Sequence, residues 1–209
     1  MKSKWILGAV ICSLVAASSL CLQTGCTSAE GTPAPEEKKK ELSQAELISR
    51  GKYLVTIGGC NDCHSPKNIT DHGPVIDSVH LLSGHPAGMP LPPFDGSVLK
   101  PAYWIAFGGD GTTFAGPWGI SYSANLTPDS TTGIGAWTEE VFIKTLRTGK
   151  HLGQEGGRPL LPPMPWEGIG KMEDEDLKAL FTYLKALPPI HNPVPAPATP
   201  DEAAKLAKK

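Results

Sequence analysis

The pentapeptide Cys60-Asn61-Asp62-Cys63-His64 decides how this chain is interpreted. Two cysteines separated by two residues and followed directly by a histidine are typical of a covalent attachment site for haem c. Each thiol can form a thioether with one haem vinyl group, and the adjacent histidine is then held over the iron as its proximal ligand. The motif therefore predicts one covalent haem c, with Cys60 and Cys63 as its attachment points and His64 as an iron ligand.

A Cys-x-x-Cys pair has two common functions other than haem attachment. Such a pair can be a dithiol redox motif or half of a zinc site. A zinc site needs further ligands at suitable spacing, and no second cysteine pair follows Cys63. A dithiol motif does not require the histidine. The complete pentapeptide therefore favours haem.

Composition limits the size and class of the fold. The chain has 209 residues with 23 glycines and 21 prolines, and its formal net charge is −2. A single haem motif in a chain of this length predicts one haem and one domain. The Gly and Pro content predicts long irregular loops, and a covalent porphyrin would supply core that such a small, loop-rich domain lacks. The charge gives no electrostatic basis for binding nucleic acid.

The N-terminal segment has the pattern of an export signal. Lys2 and Lys4 are followed by an apolar run from Trp5 to about Leu22, as in a secretory signal peptide. A permanent transmembrane anchor is the alternative, because the run is just long enough to span a bilayer. Residues 1–25 are interpreted as a lipoprotein-type signal, which predicts a location on the periplasmic side of a bacterial membrane.

Cys26 is the predicted lipid attachment site. Gln23-Thr24-Gly25-Cys26 resembles a bacterial lipoprotein processing site, although an aliphatic residue is usual where Gln23 stands. Simple cleavage into the periplasm and an uncleaved helix are the alternatives. Residues 26–42 are polar and contain proline, so they are expected to form a flexible tether between the anchor and a domain at 43–192.

Local signals predict three main helices within that domain. Ser43 and Glu46 form a capping box for a helix that runs to about Thr56. Thr138 caps a second helix over 139–147, and an apolar stripe predicts a third over 174–187. Short strands around Val98–Leu99 and Ile120–Tyr122 are only weakly indicated. Residues 193–209, rich first in Pro and Ala and then in Lys, are expected to be a mobile tail.

Met164 is the predicted sixth ligand of the iron. It lies in Pro162-Pro163-Met164-Pro165-Trp166, where flanking prolines restrict the backbone. A thioether is a neutral, soft ligand that raises the haem potential relative to a second histidine. Met89 is the next candidate, Met172 starts the last helix, and a packing role in the core is the alternative for Met164. The histidines also compete, with His85 and His151 preferred if Met164 fails; they are His72, His80, His85, His151 and His191.

Taken together, these motifs resemble a class I cytochrome c. Within that class the chain is similar to bacterial membrane-associated cytochromes related to the cytochrome subunits of periplasmic dehydrogenases, which often carry several haems. The matching segments are Cys60–His64, Asn125-Leu126-Thr127-Pro128-Asp129, Thr132-Gly133-Ile134-Gly135 with Trp137, Met164-Pro165-Trp166, and Tyr183-Leu184-Lys185-Ala186-Leu187.

The resemblance implies an all-α fold of three to four helices around the haem. It implies that the first and last helices cross, with Gly51 and Tyr53 meeting Phe181 and Leu184. It also implies that a proline carbonyl accepts a hydrogen bond from the second nitrogen of His64, with Pro117 and Pro74 as candidates. Trp137 is expected to pack in the core, with contact to a haem propionate as the alternative.

The predicted function is electron transfer by a mono-haem c-type cytochrome. A six-coordinate iron has no vacant site for substrate, so the chain is not expected to be an enzyme by itself. Its expected partners are a periplasmic or membrane dehydrogenase as donor and a terminal oxidase or another cytochrome as acceptor. One alternative is a haem enzyme or gas sensor with a labile sixth ligand, such as a small peroxidase. Another is a structural subunit that docks a catalytic partner.

Overall fold

The computed structural model describes residues 41–207. The predicted export signal at 1–25, the lipid attachment site at Cys26 and nearly all of the tether at 26–42 lie outside the described residues. The helices of the described part are α1 (Gln44–Ile57), α2 (Cys60–His64), α3 (Glu139–Thr148), α4 (Trp166–Ile169), α5 (Asp174–Lys185) and α6 (Pro200–Leu206).

The main helices begin where their capping signals predict. The Ser43 hydroxyl accepts from the Glu46 N–H, and the Glu46 carboxylate accepts from the Ser43 N–H at 2.8 Å, which completes the capping box of α1. Thr138 caps α3 in the same way, through the N–H of Val141. Glu173 precedes α5 without a side-chain cap, and three acidic residues in the first turn favour the helix dipole there instead.

The fold is not all-α, because two small antiparallel sheets are present. One is a hairpin of β1 (Lys67–Thr70) and β2 (Gly73–Ile76). The other has the order β3-β4-β5, formed by β3 (Ala106–Phe107), β4 (Thr113–Gly116) and β5 (Gly119–Tyr122). These strands are two to four residues long, too short to show a clear alternation of apolar residues. Each pairs with a strand close to it in the chain, and Ile120 of β5 adds a bridge to the distant residue Ala198.

The two weakly indicated strands had different outcomes. Ile120–Tyr122 is confirmed as part of β5, where Ile120 is fully buried and pairs with Ala115 of β4. Val98–Leu99 is not a strand but belongs to a short 3-10 helix, Gly96–Leu99, capped by the Asp95 side chain. Val98 is nevertheless buried, so its apolar character was informative about burial and not about backbone conformation.

The crossing of α1 and α5 forms the main core, and Gly51 makes it possible. A Cβ at Gly51 would lie 2.0 Å from the Ala179 carbonyl oxygen and 2.6 Å from Cβ of Tyr183, so only glycine allows this approach. The predicted crossing is therefore present, but Gly51 meets Ala179 and Tyr183 and not the predicted pair. Tyr53 is 53% exposed, with the Arg50 guanidinium over its ring. The buried members of this cluster are Leu47, Leu54, Val55, Leu82, Ile134, Phe142, Leu146, Leu177, Ala179, Leu180, Phe181 and Leu184.

The C-terminal segment differs from the expected mobile tail. Thr199 and Glu202 form a second capping box, which starts α6. Ala203 of α6 is fully buried in a smaller cluster that also contains Val98, Ala115 and Ile120. Ala198 exchanges two backbone hydrogen bonds with Ile120, of 2.9 and 3.0 Å. The segment is therefore attached to β5, because its alanines are small enough to pack closely against the strand.

Among residues 41–207, no helix has both the length and the apolar character needed to cross a membrane.

Candidate haem site

The haem motif forms α2, a helix of little more than one turn. Gly59 precedes it with a φ of 65°, a left-handed conformation that ends α1 and turns the chain into the motif. Cys60 and Cys63 are three residues apart on this helix, so their side chains lie on the same side. Neither forms a disulfide, both are partly buried, and burial raises the pKa of each thiol. Two unpaired thiols on one helical face suit attachment to one planar group.

His64 is oriented by a backbone carbonyl. Its Nδ1 lies 2.8 Å from the carbonyl oxygen of Ala124. Because a carbonyl can only accept, Nδ1 carries the proton, and Nε2 presents its lone pair. A metal-binding histidine commonly has this arrangement, in which the second nitrogen fixes the ring and its tautomer. Burial lowers the pKa of His64, so the neutral imidazole that a metal requires is favoured.

The carbonyl partner corrects the expectation that a proline would fill this role. Neither Pro117 nor Pro74 bonds to His64; Pro74 lies in β2 and Pro117 in the turn between β4 and β5. Ala124 follows β5 directly and precedes the Asn125-Leu126-Thr127-Pro128-Asp129 segment. Every residue has a backbone carbonyl, so the identity of a side chain gives no indication that Ala124 fills this role.

A network of backbone contacts holds the His64 region rigid. The Gly84 N–H donates to the His64 carbonyl at 2.8 Å, and the Leu82 N–H donates to the Ser65 hydroxyl at 2.9 Å. Gly84 has a φ of 81°, and a Cβ there would lie 2.5 Å from the carbonyl oxygen of Ser123. The 82–85 segment therefore lies tightly between the end of α2 and the chain that contains Ala124, and connects the two.

Several partly buried apolar side chains share the main core with Cys60, and such side chains can cover the faces of a porphyrin. Side chains of this kind pack against the main core while keeping some exposed surface; they include Cys60, Leu81, Leu126, Trp137, Met164 and Met172. The described residues contain no group of three or more His, Cys, Asp or Glu side chains that could hold a metal ion, so they offer no ligand set for the zinc alternative. The thiols, the free Nε2 of His64 and the apolar surroundings together fit haem c.

The structure places Met164 on the same apolar cluster as Cys60. Met164 is partly buried and lies in the loop between Gly149 and α4, where its N–H donates to the Leu161 carbonyl at 3.3 Å. Met172 also packs against this cluster, just before α5. Met89 belongs to neither apolar cluster and is partly buried beside Pro86. Of the three candidates, Met164 alone combines a place on this cluster with a loop restricted by prolines.

His85, the preferred histidine alternative, is fully buried and unsuited to ligation. Its Nδ1 lies 2.7 Å from the Thr112 hydroxyl and 2.9 Å from the Thr113 hydroxyl, and its ring lies against Tyr122. Its Nε2 is enclosed by protein and has no hydrogen-bond partner in the described range. An atom that faces a haem cavity would be reachable by solvent in a structure without haem. Neither nitrogen is therefore available to the iron.

The other histidines lie at the surface or beside an aromatic ring. His151 contacts the Trp137 ring edge-on, with centroids 5.7 Å apart. Trp137 packs against the main core, which agrees with the packing role expected for it. His80 pairs with Asp77 at 2.7 Å, and His191 lies 3.6 Å from Asp129. Both are exposed, as is His72.

Sequence comparisons agree with this geometry. No family model matches the chain. It is 34% identical over 137 residues, 66% of this chain, to the gluconate 2-dehydrogenase cytochrome c subunit of Pantoea cypripedii. It is 30% identical over 167 residues, 79% of this chain, to the fructose dehydrogenase cytochrome subunit of Gluconobacter japonicus. The chain is homologous to cytochrome c subunits of dehydrogenases.

This cytochrome c homologue matches only part of each relative. The aligned region covers 22% of the gluconate 2-dehydrogenase subunit and 26% of the fructose dehydrogenase subunit. The alcohol dehydrogenase (quinone) cytochrome c subunit of Gluconobacter oxydans is 28% identical over 138 residues, which is 66% of this chain and 20% of that protein. The chain thus spans about a quarter or less of the length of these relatives.

Three residues with a place in the site were not identified from the sequence. Ala124 orients His64 through its carbonyl. Trp118 donates to the Ser121 hydroxyl, and Ser121 donates to the Pro162 carbonyl in the Met164 loop. No local pattern around Trp118 or Ser121 indicates that this part of the chain contacts a loop 41 residues further along.

Proposed function

We propose that this protein is a mono-haem c-type cytochrome that relays electrons from a dehydrogenase to a downstream acceptor, such as a terminal oxidase or another cytochrome. The observation that supports it most is the arrangement of α2, in which two unpaired thiols precede an imidazole whose Nδ1 is bound to the Ala124 carbonyl. The similarity to dehydrogenase cytochrome subunits supports a dehydrogenase as the donor.

Each site residue has a defined role in this proposal. Cys60 and Cys63 would bind the haem covalently, His64 would ligate the iron through Nε2, and Met164 would supply a thioether sulfur as the other protein ligand. Bound haem would supply an iron that changes between the ferric and ferrous states. With two protein ligands holding the iron, the chain would carry an electron without binding a substrate, so it is proposed to be a carrier and not an enzyme by itself.

The surrounding residues favour fast electron exchange by keeping the site rigid and apolar. His64 is held in one tautomer by Ala124, and its neighbours are fixed through Gly84 and Leu82. Both proposed iron ligands are neutral side chains, and partly buried apolar side chains of the main core would limit access of water. Identity of the axial ligands, burial and hydrogen bonding are the means by which a protein sets a haem potential.

The first test concerns the sixth ligand. The oxidised protein is expected to show the weak Met–iron charge-transfer band at the red edge of the visible spectrum, and Met164→Ala is expected to lose it while keeping covalent haem. Met89→Ala is the matched control and should keep the band. In addition, the reduced wild-type protein should resist carbon monoxide, and Met164→Ala should bind it rapidly.

The opposite spectra would favour a different function. An unchanged band in Met164→Ala would exclude this methionine as ligand. Rapid binding of carbon monoxide by the untreated ferrous wild type would indicate a labile sixth position, as in a haem enzyme or gas sensor.

The proposed location is the periplasmic side of a bacterial membrane, with a lipid on Cys26. The support is the sequence pattern of residues 1–26. Cys26→Ser is expected to move the haem protein from the membrane fraction to the soluble fraction, whereas Cys21→Ser is the control and should remain membrane-bound. Intact mass of the wild type should begin at a diacylated Cys26. A mature chain with any other N-terminus would contradict the lipid anchor.

A further inference from the structure

The loop that contains Met164 has few attachments to the rest of the molecule. Three of its residues are prolines, Pro162, Pro163 and Pro165, and therefore have no N–H to donate. The Met164 N–H is used inside the loop, on the Leu161 carbonyl. Outside the loop, the residues on either side are held by Leu160 N–H to the Gly149 carbonyl at 2.8 Å and by α4. Apart from the packing of Met164 on the main core, the position of its sulfur therefore depends on the contacts that fix residues 161–165.

Ser121 provides that attachment. Its hydroxyl lies 2.6 Å from the Pro162 carbonyl, two residues before Met164. Within residues 41–207 it is the one hydrogen bond that joins 161–165 to a preceding element of the chain. Ser121 is 7% exposed, so solvent competes little for this bond.

Trp118 fixes the direction of the Ser121 hydroxyl. The indole Nε1 lies 3.1 Å from the Ser121 oxygen, and an indole N–H can only donate. The serine oxygen is therefore the acceptor from Trp118, and its own proton is directed to the Pro162 carbonyl. Two hydrogen bonds therefore connect the three groups: Trp118 donates to Ser121, and Ser121 donates to the Pro162 carbonyl.

The β4–β5 hairpin, which contains Trp118 and Ser121, is itself fixed in place. The Trp118 ring lies over Gly116, where a Cβ would be 2.4 Å from the ring. Gly119 has a φ of 98°, and a Cβ there would lie 2.0 Å from the Ala198 carbonyl oxygen. Ile120, next to Ser121, is fully buried and bonded to Ala198. The β4–β5 hairpin thus holds the proline-restricted Met164 loop at one point.

We propose that Trp118 and Ser121 are positioning residues for the Met164 thioether, holding the Pro162 carbonyl so that the sulfur stays on the iron. This inference rests on the proposed function, because it requires Met164 to be the sixth ligand. The β4–β5 hairpin, which lies outside the proposed haem-binding helices, would then set how strongly the Met164 sulfur binds the iron. Neither is a proposed iron ligand: Ser121 acts on the backbone of the loop, and Trp118 acts through Ser121.

The test measures how easily Met164 is displaced. Imidazole is titrated into the oxidised holoprotein, and loss of the Met–iron band is followed. Ser121→Ala should keep haem and band in buffer but bind imidazole about 3- to 10-fold more tightly, as expected for the loss of one buried hydrogen bond. Trp118→Phe should have a smaller effect in the same direction. The double variant should match Ser121→Ala, because Trp118 acts through the serine.

Thr145→Val is the matched control, since it removes a buried hydroxyl that donates 2.7 Å to a carbonyl within α3. It should lower the free energy of unfolding without changing the affinity for imidazole. An unchanged imidazole affinity in Ser121→Ala, or the same change in Thr145→Val, would overturn the positioning role. If the wild type has no Met–iron band, the proposed function fails before any variant is made.

Discussion

At the scale of single residues, one hydrogen bond determines the tautomer of His64. The Ala124 carbonyl requires Nδ1 to carry the proton, which leaves Nε2 unprotonated, as the proposed ligation of iron needs. His85 is excluded as an iron ligand, because its Nδ1 faces two threonine hydroxyls and its Nε2 is enclosed by protein. Cys60, Cys63 and His64 are predicted from the sequence because attachment chemistry requires their side chains, and their part in binding haem stays a prediction. The Ala124 carbonyl could not be predicted, since every residue has one.

Asp129 makes stability depend on pH. Its carboxylate accepts from the hydroxyl and N–H of Thr132, each at 2.7 Å, and from those of Thr131, at 2.9 and 3.2 Å. These bonds, those of Thr132 most strongly, lower the pKa of Asp129 well below its usual range. Because the folded pKa is lower than the unfolded one, the stabilisation is fully present above about pH 4 and is lost as pH falls below it.

Asp129→Asn is therefore expected to unfold at lower urea concentration than the wild type at pH 7, with the difference shrinking as pH decreases below 4. The measurement is urea unfolding of the holoprotein, followed by circular dichroism at several pH values. Asp71→Asn is the control, because Asp71 is exposed and its carboxylate makes no hydrogen bond within the described range. A difference between Asp129→Asn and wild type that stays constant down to pH 2 would contradict this explanation.

At the scale of elements, a helix could be predicted where residues close together in the sequence mark its start. The starts of α1 and α3 follow from Ser43 and Thr138, because a cap and its partner lie three residues apart. β1 to β4 were not predicted, since two to four residues are too few to show an alternating apolar pattern, although each strand pairs with its neighbour in the chain. The helix α6 had a local signal, the Thr199–Glu202 capping box, but the surrounding Pro and Ala content was taken to indicate a mobile tail.

The crossing of α1 and α5 gives a sharp test of packing. Gly51→Ala would place a methyl group 2.0 Å from the Ala179 carbonyl oxygen, and neither helix backbone can move away cheaply. The free energy of unfolding is expected to fall by about 3 kcal/mol, at the upper end of overpacking costs. Gly168→Ala is the matched helical control, because nothing lies within 4 Å of its added Cβ. It should be neutral or raise stability by up to about 1 kcal/mol.

Thermal unfolding of the two variants, read by circular dichroism, gives the comparison. Equal melting temperatures for Gly51→Ala and Gly168→Ala would show that α1 and α5 do not approach as closely as described.

At the scale of the whole molecule, the helices and the sheets have separate tasks. The α1–α5 crossing and α3 form the main core against which Cys60 and Met164 pack. The β3-β4-β5 sheet and α6 form a second, smaller cluster. In the proposal, the helical part contributes the apolar surroundings of the haem. The chain that leaves β5 supplies the carbonyl that orients His64, and β5 itself fixes the Met164 loop through Ser121.

Covalent binding of one haem through Cys60 and Cys63 is tested by intact mass spectrometry of the denatured protein. Denaturation releases any haem that is held only by ligands or packing. A mass increase of one haem per chain is expected in the wild type, with none in the Cys60→Ala/Cys63→Ala variant. A wild-type mass equal to that of the polypeptide alone, or an increase that persists in the double variant, would contradict it.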